Sequence, residues 1–475
     1  MTTTSLVWFR QDLRLADNPA LAAACARGAV VAIYILDEAS EGVRPLGGAS
    51  RWWLHHSLAA LDRALGGKLV LRRGDPARVL DELIAETGAD AVFWNRLYDA
   101  ASVARDASIK AALRGKGVEV RSFNASLLFE PWEIKTGADA PYKVFTPFWR
   151  AAYQRGAAPP ASAPKGLKVG AARTEGLNDW ALTPSTPDWA ADWRRYWTPG
   201  EAGARARLDA FLSGAIKGYA EARDYPARDA TSRLSPHLHW GEISPRRIWA
   251  ALHHANAPAR DAEAFQRELG WREFSYHLLH QFPDLPTRNW KSAFDAYPWR
   301  TSAADVRAWR RGRTGYPYID AGLRELWATG YMHNRVRMAV ASFLIKHLRI
   351  DWRVGEAWFW DTLVDADAAN NAASWQWVAG SGADAAPYFR IFNPVEQGRK
   401  FDADGAYVRR WIPELKLLPV RFVHVPFEAP SAVLAQAGVR LGETYPRPIV
   451  DHAEARAAAL AGYERVKSAV PREAE

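Results

Sequence analysis

One cysteine, Cys25, stands alone in 475 residues. That excludes an intrachain disulfide and any four-cysteine cluster, iron–sulfur clusters included. Long apolar runs are missing too. The longest, such as residues 30–36, are strand-sized and far too short to cross a bilayer. The N-terminus enters a strand almost at once and lacks the basic and apolar regions of a signal peptide, so the cytoplasm is the expected compartment. Neither GxGxxG nor GxxxxGK[ST] occurs in the first part of the chain, which leaves a dinucleotide or P-loop site without support. No metal is expected: His237 with His239, and His55 with His56, have no supporting ligands around them.

What is present describes a globular chain with a polyanionic partner. The residues are 48% hydrophobic and 24% charged, and 475 of them exceed one ordinary core, so two domains are expected. The net charge of +9 suits a nucleic acid, because lysines and arginines that neutralise phosphates release condensed counterions. Tryptophan is abundant at 23 residues. An indole is a demanding core filler because its N–H needs a partner when buried, so some of these rings are candidates for moving electrons or stacking on bases.

Two periodicities divide the chain. Residues 5–9, 29–36, 68–72, 89–94 and 117–123 read as five strands separated by helices. Pro19 opens the first helix and Gly28 closes it, residues 49–65 form the second, and Asp75-Pro76 caps the third. Such alternation predicts a doubly wound, Rossmann-like parallel sheet in an α/β domain over residues 1–130. Prolines, alanines and glycines then cluster in a connector, residues 131–200. From residue 201 to 475 the spacing is helical, clearest over 260–282, 318–348 and 352–363, which predicts an all-α domain.

Three groups of polar residues in the helical part carry chemistry. In the first, Asp365, Asp367 and Asn371 precede Trp375-Gln376-Trp377, and Arg335 and Arg337 lie on the long preceding helix. A buried arginine needs a carboxylate, so a plain helix-joining ion pair and a ligand-facing cluster both remain open; the asparagine, with two donors and two acceptors, favours a polar ligand. In the second, Glu268 and Trp271 are three apart on one helix, as Asn334 and Met338 are four apart on another. A carboxyl beside an indole suits a flat heterocycle, and desolvation would raise its pKa; the alternative is an amphipathic helix with Glu268 in solvent. In the third, Tyr219 to Arg223 leads to Thr231-Ser232-Arg233-Leu234-Ser235, hydroxyls and an arginine before a helix. This is a phosphate cradle or an ordinary cap.

Taken with Val7-Trp8-Phe9-Arg10-Gln11-Asp12-Leu13-Arg14, Thr314-Gly315-Tyr316-Pro317, Met332-His333-Asn334-Arg335-Val336-Arg337-Met338 and Asp384-Ala385-Ala386-Pro387-Tyr388-Phe389-Arg390-Ile391-Phe392-Asn393-Pro394, these stretches resemble the photolyase/cryptochrome family along essentially the whole chain. Within it the chain looks most like the cyclobutane pyrimidine dimer photolyases, in a bacterial branch near plant cryptochromes. The resemblance implies an α/β antenna domain and a helical domain holding FAD, active in its reduced form, for light-dependent repair of UV-damaged DNA by electron transfer to a flipped-out lesion. It places Tyr219, Thr231, Ser232, Arg233, Leu234 and Ser235 at the diphosphate and ribityl chain. Phe265, Arg272, Arg337, Asp365 and Asp367 fall around the flavin, and Asn371 faces its N5, where the amide serves either protonation state. Glu268, Trp271, Asn334, Arg335, Met338, Trp377 and Arg223 match the lesion pocket and its DNA-contacting rim. Trp375, Trp352 and Trp299 match a chain that reduces oxidised flavin in light, with core filler as the alternative for each and Trp358, Trp360 and Trp327 as a competing route. The antenna chromophore implied is 5,10-methenyltetrahydrofolate, with 8-hydroxy-5-deazaflavin as the alternative, near residues 35–52. A monomer at the bacterial nucleoid is expected.

Three other readings compete. A blue-light receptor without repair is opposed by Asn371, Trp271 and Trp377, and by a sequence that runs to Glu475 without a long tail. A (6-4) photolyase is expected to place histidine where Asn334 and Met338 stand. A passive DNA-binding protein leaves the Asp/Arg/Asn cluster without a purpose.

Overall fold

The structure is a computed structural model that describes residues 3–385 and 389–468; Ala386, Pro387 and Tyr388 of the asparagine–proline motif, and Glu475, lie outside the described residues. It divides into two compact units. The first comprises residues 1–217, 232–283 and 364–367, the second residues 218–231, 284–363 and 368–475.

The first unit contains the expected sheet. Strands β1 (Thr3–Phe9), β2 (Gly28–Leu36), β3 (Val70–Arg73), β4 (Ala91–Asn95) and β5 (Glu119–Phe123) pair in parallel in the order β3-β2-β1-β4-β5. Their apolar runs are short because both faces are covered, by helices α1 (Pro19–Arg27), α2 (Gly48–Ala64), α3 (Pro76–Thr87) and α4 (Ala100–Gly115). Asn18, Asp75 and Asp99 cap three of these helices with their side chains. Strand order reverses between β1 and β4, the position where open α/β sheets usually hold a ligand. Here that crevice is filled by the chain itself. Asn95 Nδ2 donates to Asn18 Oδ1 (2.7 Å), Arg10 reaches Asp106 (2.7 Å), and Arg105 bridges Asp106 (2.8 Å) and Asp37 (2.7 Å). This agrees with the absence of a dinucleotide fingerprint.

The connector is more ordered than its composition suggests. Phe145–Arg155 forms a helix that buries Phe145, Phe148, Trp149 and Ala152. Lys168–Val169 adds a sixth short strand, on β2. Its buried residues recur at three- and four-residue spacing, a helical period set inside a proline- and glycine-rich stretch, and its rings pack on the long helix Ala259–Gln281, where Gly270 leaves room for Trp149.

In the second unit one sequence expectation is corrected. Residues 318–348 are not one helix. Gly330, at φ 68°, ends the helix Pro317–Thr329, and the His333 side chain accepts from Arg335 N–H to start a new helix, Asn334–Ser342, which runs into a wide turn at Phe343–His347. Arg335 and Arg337 therefore sit in the first turn of a short helix. Helices Trp352–Thr362 and Ala368–Ala379 pack closely because Gly355 has no side chain: a Cβ there would lie 2.1 Å from the Trp375 ring.

Two substitutions test these constraints in the first unit. Gly241 has φ +63°, and an added Cβ would lie 2.1 Å from the Gln11 carbonyl oxygen, against the turn that follows β1. Gly241→Ala is expected to cost about 2–5 kcal/mol, from left-handed backbone strain plus a backbone clash, read as a lower urea midpoint. Glu273 is wholly buried; its carboxylate accepts from the N–H groups of Leu128 (2.9 Å) and Phe129 (3.3 Å). Burial pushes its pKa up from 4.5 to about 7, against the pull of Arg272 and those donors. The folded state thus holds this proton more tightly than the unfolded chain, so the contribution of Glu273 to stability is full below pH 4.5 and is lost as pH rises to about 7. Glu273→Gln is expected to flatten that decline by about 3 kcal/mol, measured by urea unfolding across the window.

Candidate active site

In the first unit, the loop before the helix Ser235–His239 has an unusual backbone. Arg233 is left-handed (φ 50°) and Leu234 right-handed (φ −85°, ψ −5°). Consecutive left- and right-handed residues turn their N–H groups to one concave side, the geometry of an anion-binding nest, and strain in a non-glycine residue is typical of functional loops. Ser232 Oγ accepts from Leu234 N–H at 3.4 Å, and Ser235 Oγ donates to Asp365 at 2.6 Å. The fold thereby joins residues 130 apart in sequence. Asp367, buried, accepts from Tyr276 O–H at 2.5 Å and lies 3.5 Å from His239 Nδ1. Burial and the Asp367 charge hold the Tyr276 phenol well above its usual pKa.

The long helix Ala259–Gln281 supplies the remaining candidate residues of the first unit. Phe265 is buried. Arg272 is buried and donates to the Ser126 carbonyl (2.7 Å), with its guanidinium 5.1 Å from the Tyr276 ring. Glu268 and Trp271 share a face as the spacing predicts, and both are half-buried, so protein atoms alone do not desolvate the Glu268 carboxyl. One face of Trp271 is taken by Phe145, stacked at 3.7 Å between centroids.

The second unit holds further candidate residues. Tyr219 is buried beneath the Arg223 guanidinium (5.3 Å), and Thr231 is half-buried at the end of the same segment. Arg337 donates to the Met332 carbonyl (2.7 Å). Asn334 is exposed and Met338 half-buried on their shared helix, with Arg335 Nη1 3.9 Å from the Met338 sulfur. Asn371 is buried, and its Nδ2 donates both to the Glu356 carbonyl (3.0 Å) and to the Glu356 carboxylate (2.8 Å). The reversed amide would set its oxygen against two acceptors, so the network fixes which end is which. Asn371 keeps its oxygen for whatever lies on the other side, which narrows the expectation that the amide serves either protonation state.

The tryptophans are graded by depth. Trp375 and Trp352 are buried and Trp299 and Trp377 half-buried. Trp375 packs on Phe359 (5.0 Å), within the helix that Trp352 opens, and Trp352 Nε1 donates to Asn289 (2.9 Å). Trp299 follows Tyr297 (4.4 Å). Trp358 stacks parallel to Trp327 at 6.2 Å, and Trp327 is 52% exposed, so these two rings reach the surface together.

Sequence reading missed Glu356, Tyr276 and His239. Glu356 had a signal: it is the only carboxylate in the apolar stretch from Trp352 to Trp360. Tyr276 and His239 had none, because their value comes from Asp367, far away in sequence. Among the described residues no group of three His, Cys, Asp or Glu could hold a metal ion, and no helix is long and apolar enough to cross a membrane.

Comparison with known proteins agrees with this geometry. Residues 5–165 match the family model for DNA photolyase, and residues 265–465 match that for the FAD binding domain of DNA photolyase. A deoxyribodipyrimidine photo-lyase of Agrobacterium fabrum is 56% identical, with 98% of each chain covered. Cryptochrome-1 of Arabidopsis thaliana is 40% identical over 95% of this chain and 69% of its own length. The crystal structure of a bacterial class III photolyase from Agrobacterium tumefaciens superimposes with a TM-score of 0.96 at 55% identity, covering 98% of both chains. With an α/β sheet, a helical part and relatives of this closeness along its full length, the chain belongs to the photolyase/cryptochrome family.

Proposed function

We propose that the protein repairs cyclobutane pyrimidine dimers in DNA in a light-dependent reaction, with FAD as its cofactor. The observation that carries this reading is the Asn371–Glu356 pair, a buried amide whose oxygen is held ready to accept a proton-bearing nitrogen. Supporting it are the full-length similarity to a named photo-lyase and the match to an FAD-binding domain model. The residues fit the cofactor. Backbone N–H groups at Arg233 and Leu234, with the hydroxyls of Thr231, Ser232 and Ser235 and with Tyr219, would hold the diphosphate and ribityl chain. Phe265, Arg272, Arg337, Asp365 and Asp367 would border the ring system. When bound and reduced, the flavin supplies the electron that light drives to the lesion.

The chain's own residues set position and polarity. Asn371 would accept from N5–H and so keep the proton on that nitrogen. Glu268 would hydrogen-bond the pyrimidine carbonyls as they gain charge. Trp377 and the face of Trp271 not taken by Phe145 would pack on the extruded bases, offsetting the few kcal/mol that extrusion costs. Asn334, Arg335, Met338 and Arg223 would line the rim, and an unpaired dimer would enter more cheaply than an intact pair. Buried Trp375 and Trp352 with half-buried Trp299 suit an electron route from surface to interior. For the antenna we favour 5,10-methenyltetrahydrofolate over 8-hydroxy-5-deazaflavin, near residues 35–52, because plant cryptochromes are close relatives. We place the protein at the bacterial nucleoid as a monomer.

Purified protein carrying FAD, mixed under reducing conditions with single- and double-stranded DNA bearing one defined dimer, is expected to restore the two pyrimidines under blue light and not in the dark. Bound FAD with repair of neither substrate would instead favour a blue-light receptor. Trp375→Phe is expected to block photoreduction of oxidised flavin while chemically pre-reduced enzyme still repairs. Loss of repair in the pre-reduced variant would remove Trp375 from the electron route. Chromatography of the released chromophores is expected to show the folate; a deazaflavin would overturn that choice.

A further inference from the structure

Arg335 is held on three sides within the second unit. Its Nη2 meets Asp224 Oδ1 at 2.7 Å, its guanidinium lies 4.6 Å over the Phe401 ring, and its Nη1 is 3.9 Å from the sulfur of Met338. Asp224 belongs to the segment 218–231, around which other cations gather. Arg223 covers Tyr219, Arg228 lies 4.4 Å over Tyr225, and Arg410 donates to the Ala227 carbonyl at 3.0 Å. Lys400 approaches the same Phe401 ring at 5.2 Å. A carboxylate placed among such cations works against binding any polyanion, so affinity alone does not account for it. What Asp224 does is keep one guanidinium from turning to a phosphate.

We propose that Asp224 is a positioning residue that sets the discrimination between lesion-bearing and undamaged DNA, acting through Arg335. This rests on the repair reading above. Phosphate contacts are blind to sequence and damage, and each one strengthens binding to every duplex alike. Arg335 shares its short helix with Asn334 and Met338, the candidate lesion contacts. Tied to Asp224, it is oriented beside them in advance and adds nothing to undamaged backbone. The tie is a half-exposed ion pair, worth little as stability. Its value lies in where it points the fork.

The test uses full-length flavin-bound protein in the dark. Dissociation constants are measured against salt for a duplex with one cyclobutane thymine dimer and for the same duplex undamaged. Asp224→Asn is expected to free Arg335 for one more phosphate, so the slope of log K against log[salt] on undamaged DNA steepens by about 0.9. The damaged-to-undamaged affinity ratio is expected to fall by about fivefold, the order of one exposed ion pair. Asp224→Glu is expected to restore the ratio, and adding Arg335→Gln to Asp224→Asn to remove the extra slope. A merely structural pair would lower the thermal midpoint and leave slope and ratio as they were; that result overturns the proposal while leaving the repair reading intact. Wild-type protein that fails to distinguish the two duplexes overturns both.

Discussion

A charged or amide group taken out of water must find its hydrogen bonds inside the fold, and the candidate machinery is organised around that requirement. Arg14, with 2% of its surface exposed, donates to four backbone carbonyls, those of Ala16, Asp17, Ala125 and Gly241. It thereby locks the turn after β1 to residues more than a hundred positions away. Glu242, fully buried, answers Trp53 Nε1 (3.0 Å), Gly200 N–H (2.6 Å) and the His237 ring, tying α2, the end of the connector and the helix that follows the phosphate-type nest. Each such group is costly alone and stable only when all its partners arrive. The surrounding backbone is then determined more tightly than apolar packing would determine it.

The same requirement explains what could be read from the sequence. Strands buried on both faces write themselves as apolar runs punctuated by glycine and proline, and all five were legible. The break at Gly330 was not, because apolar residues keep their three- and four-residue spacing on both sides of it. Only the left-handed glycine and the capping His333 separate the helices, and both depend on local hydrogen bonds that periodicity does not register. The helix Phe145–Arg155 did carry the helical spacing, at Phe145, Phe148, Trp149 and Ala152, but it lies within a proline- and glycine-rich stretch that reads as a connector, and the surface its rings pack on is more than a hundred residues downstream. In the site, Asn371, Asp367 and Arg335 were visible as polar residues in apolar company. Their partners Glu356, Tyr276 and Asp224 were not singled out, since a partner is defined by three-dimensional proximity.

Tryptophan shows how composition divides between packing and chemistry. Trp8, Trp53, Trp94, Trp240 and Trp309 are among the largest fully buried side chains, and Trp53 and Trp309 donate to Glu242 and to the Val340 carbonyl. Those two meet the indole's need for an acceptor. Trp375 is buried as deeply; like those of Trp8 and Trp240, its Nε1 has no acceptor among the described residues, and a neighbouring helix makes room for its ring at Gly355.

Asn371 carries the same logic into the choice between residue types. An aspartate at this position would face the Glu356 carboxylate at hydrogen-bonding distance, two acceptors with no hydrogen between them unless one took up a proton. The amide avoids that conflict by donating from Nδ2 to both Glu356 oxygens, and in doing so commits its own oxygen to the opposite side. Donor and acceptor are thus assigned by the protein before any ligand arrives. An N–H that meets this oxygen finds an acceptor already oriented, whereas a bare ring nitrogen would meet a repulsive lone pair. The orientation of that oxygen is therefore a property of Glu356 as much as of Asn371, and it follows from hydrogen bonds formed entirely within the second unit.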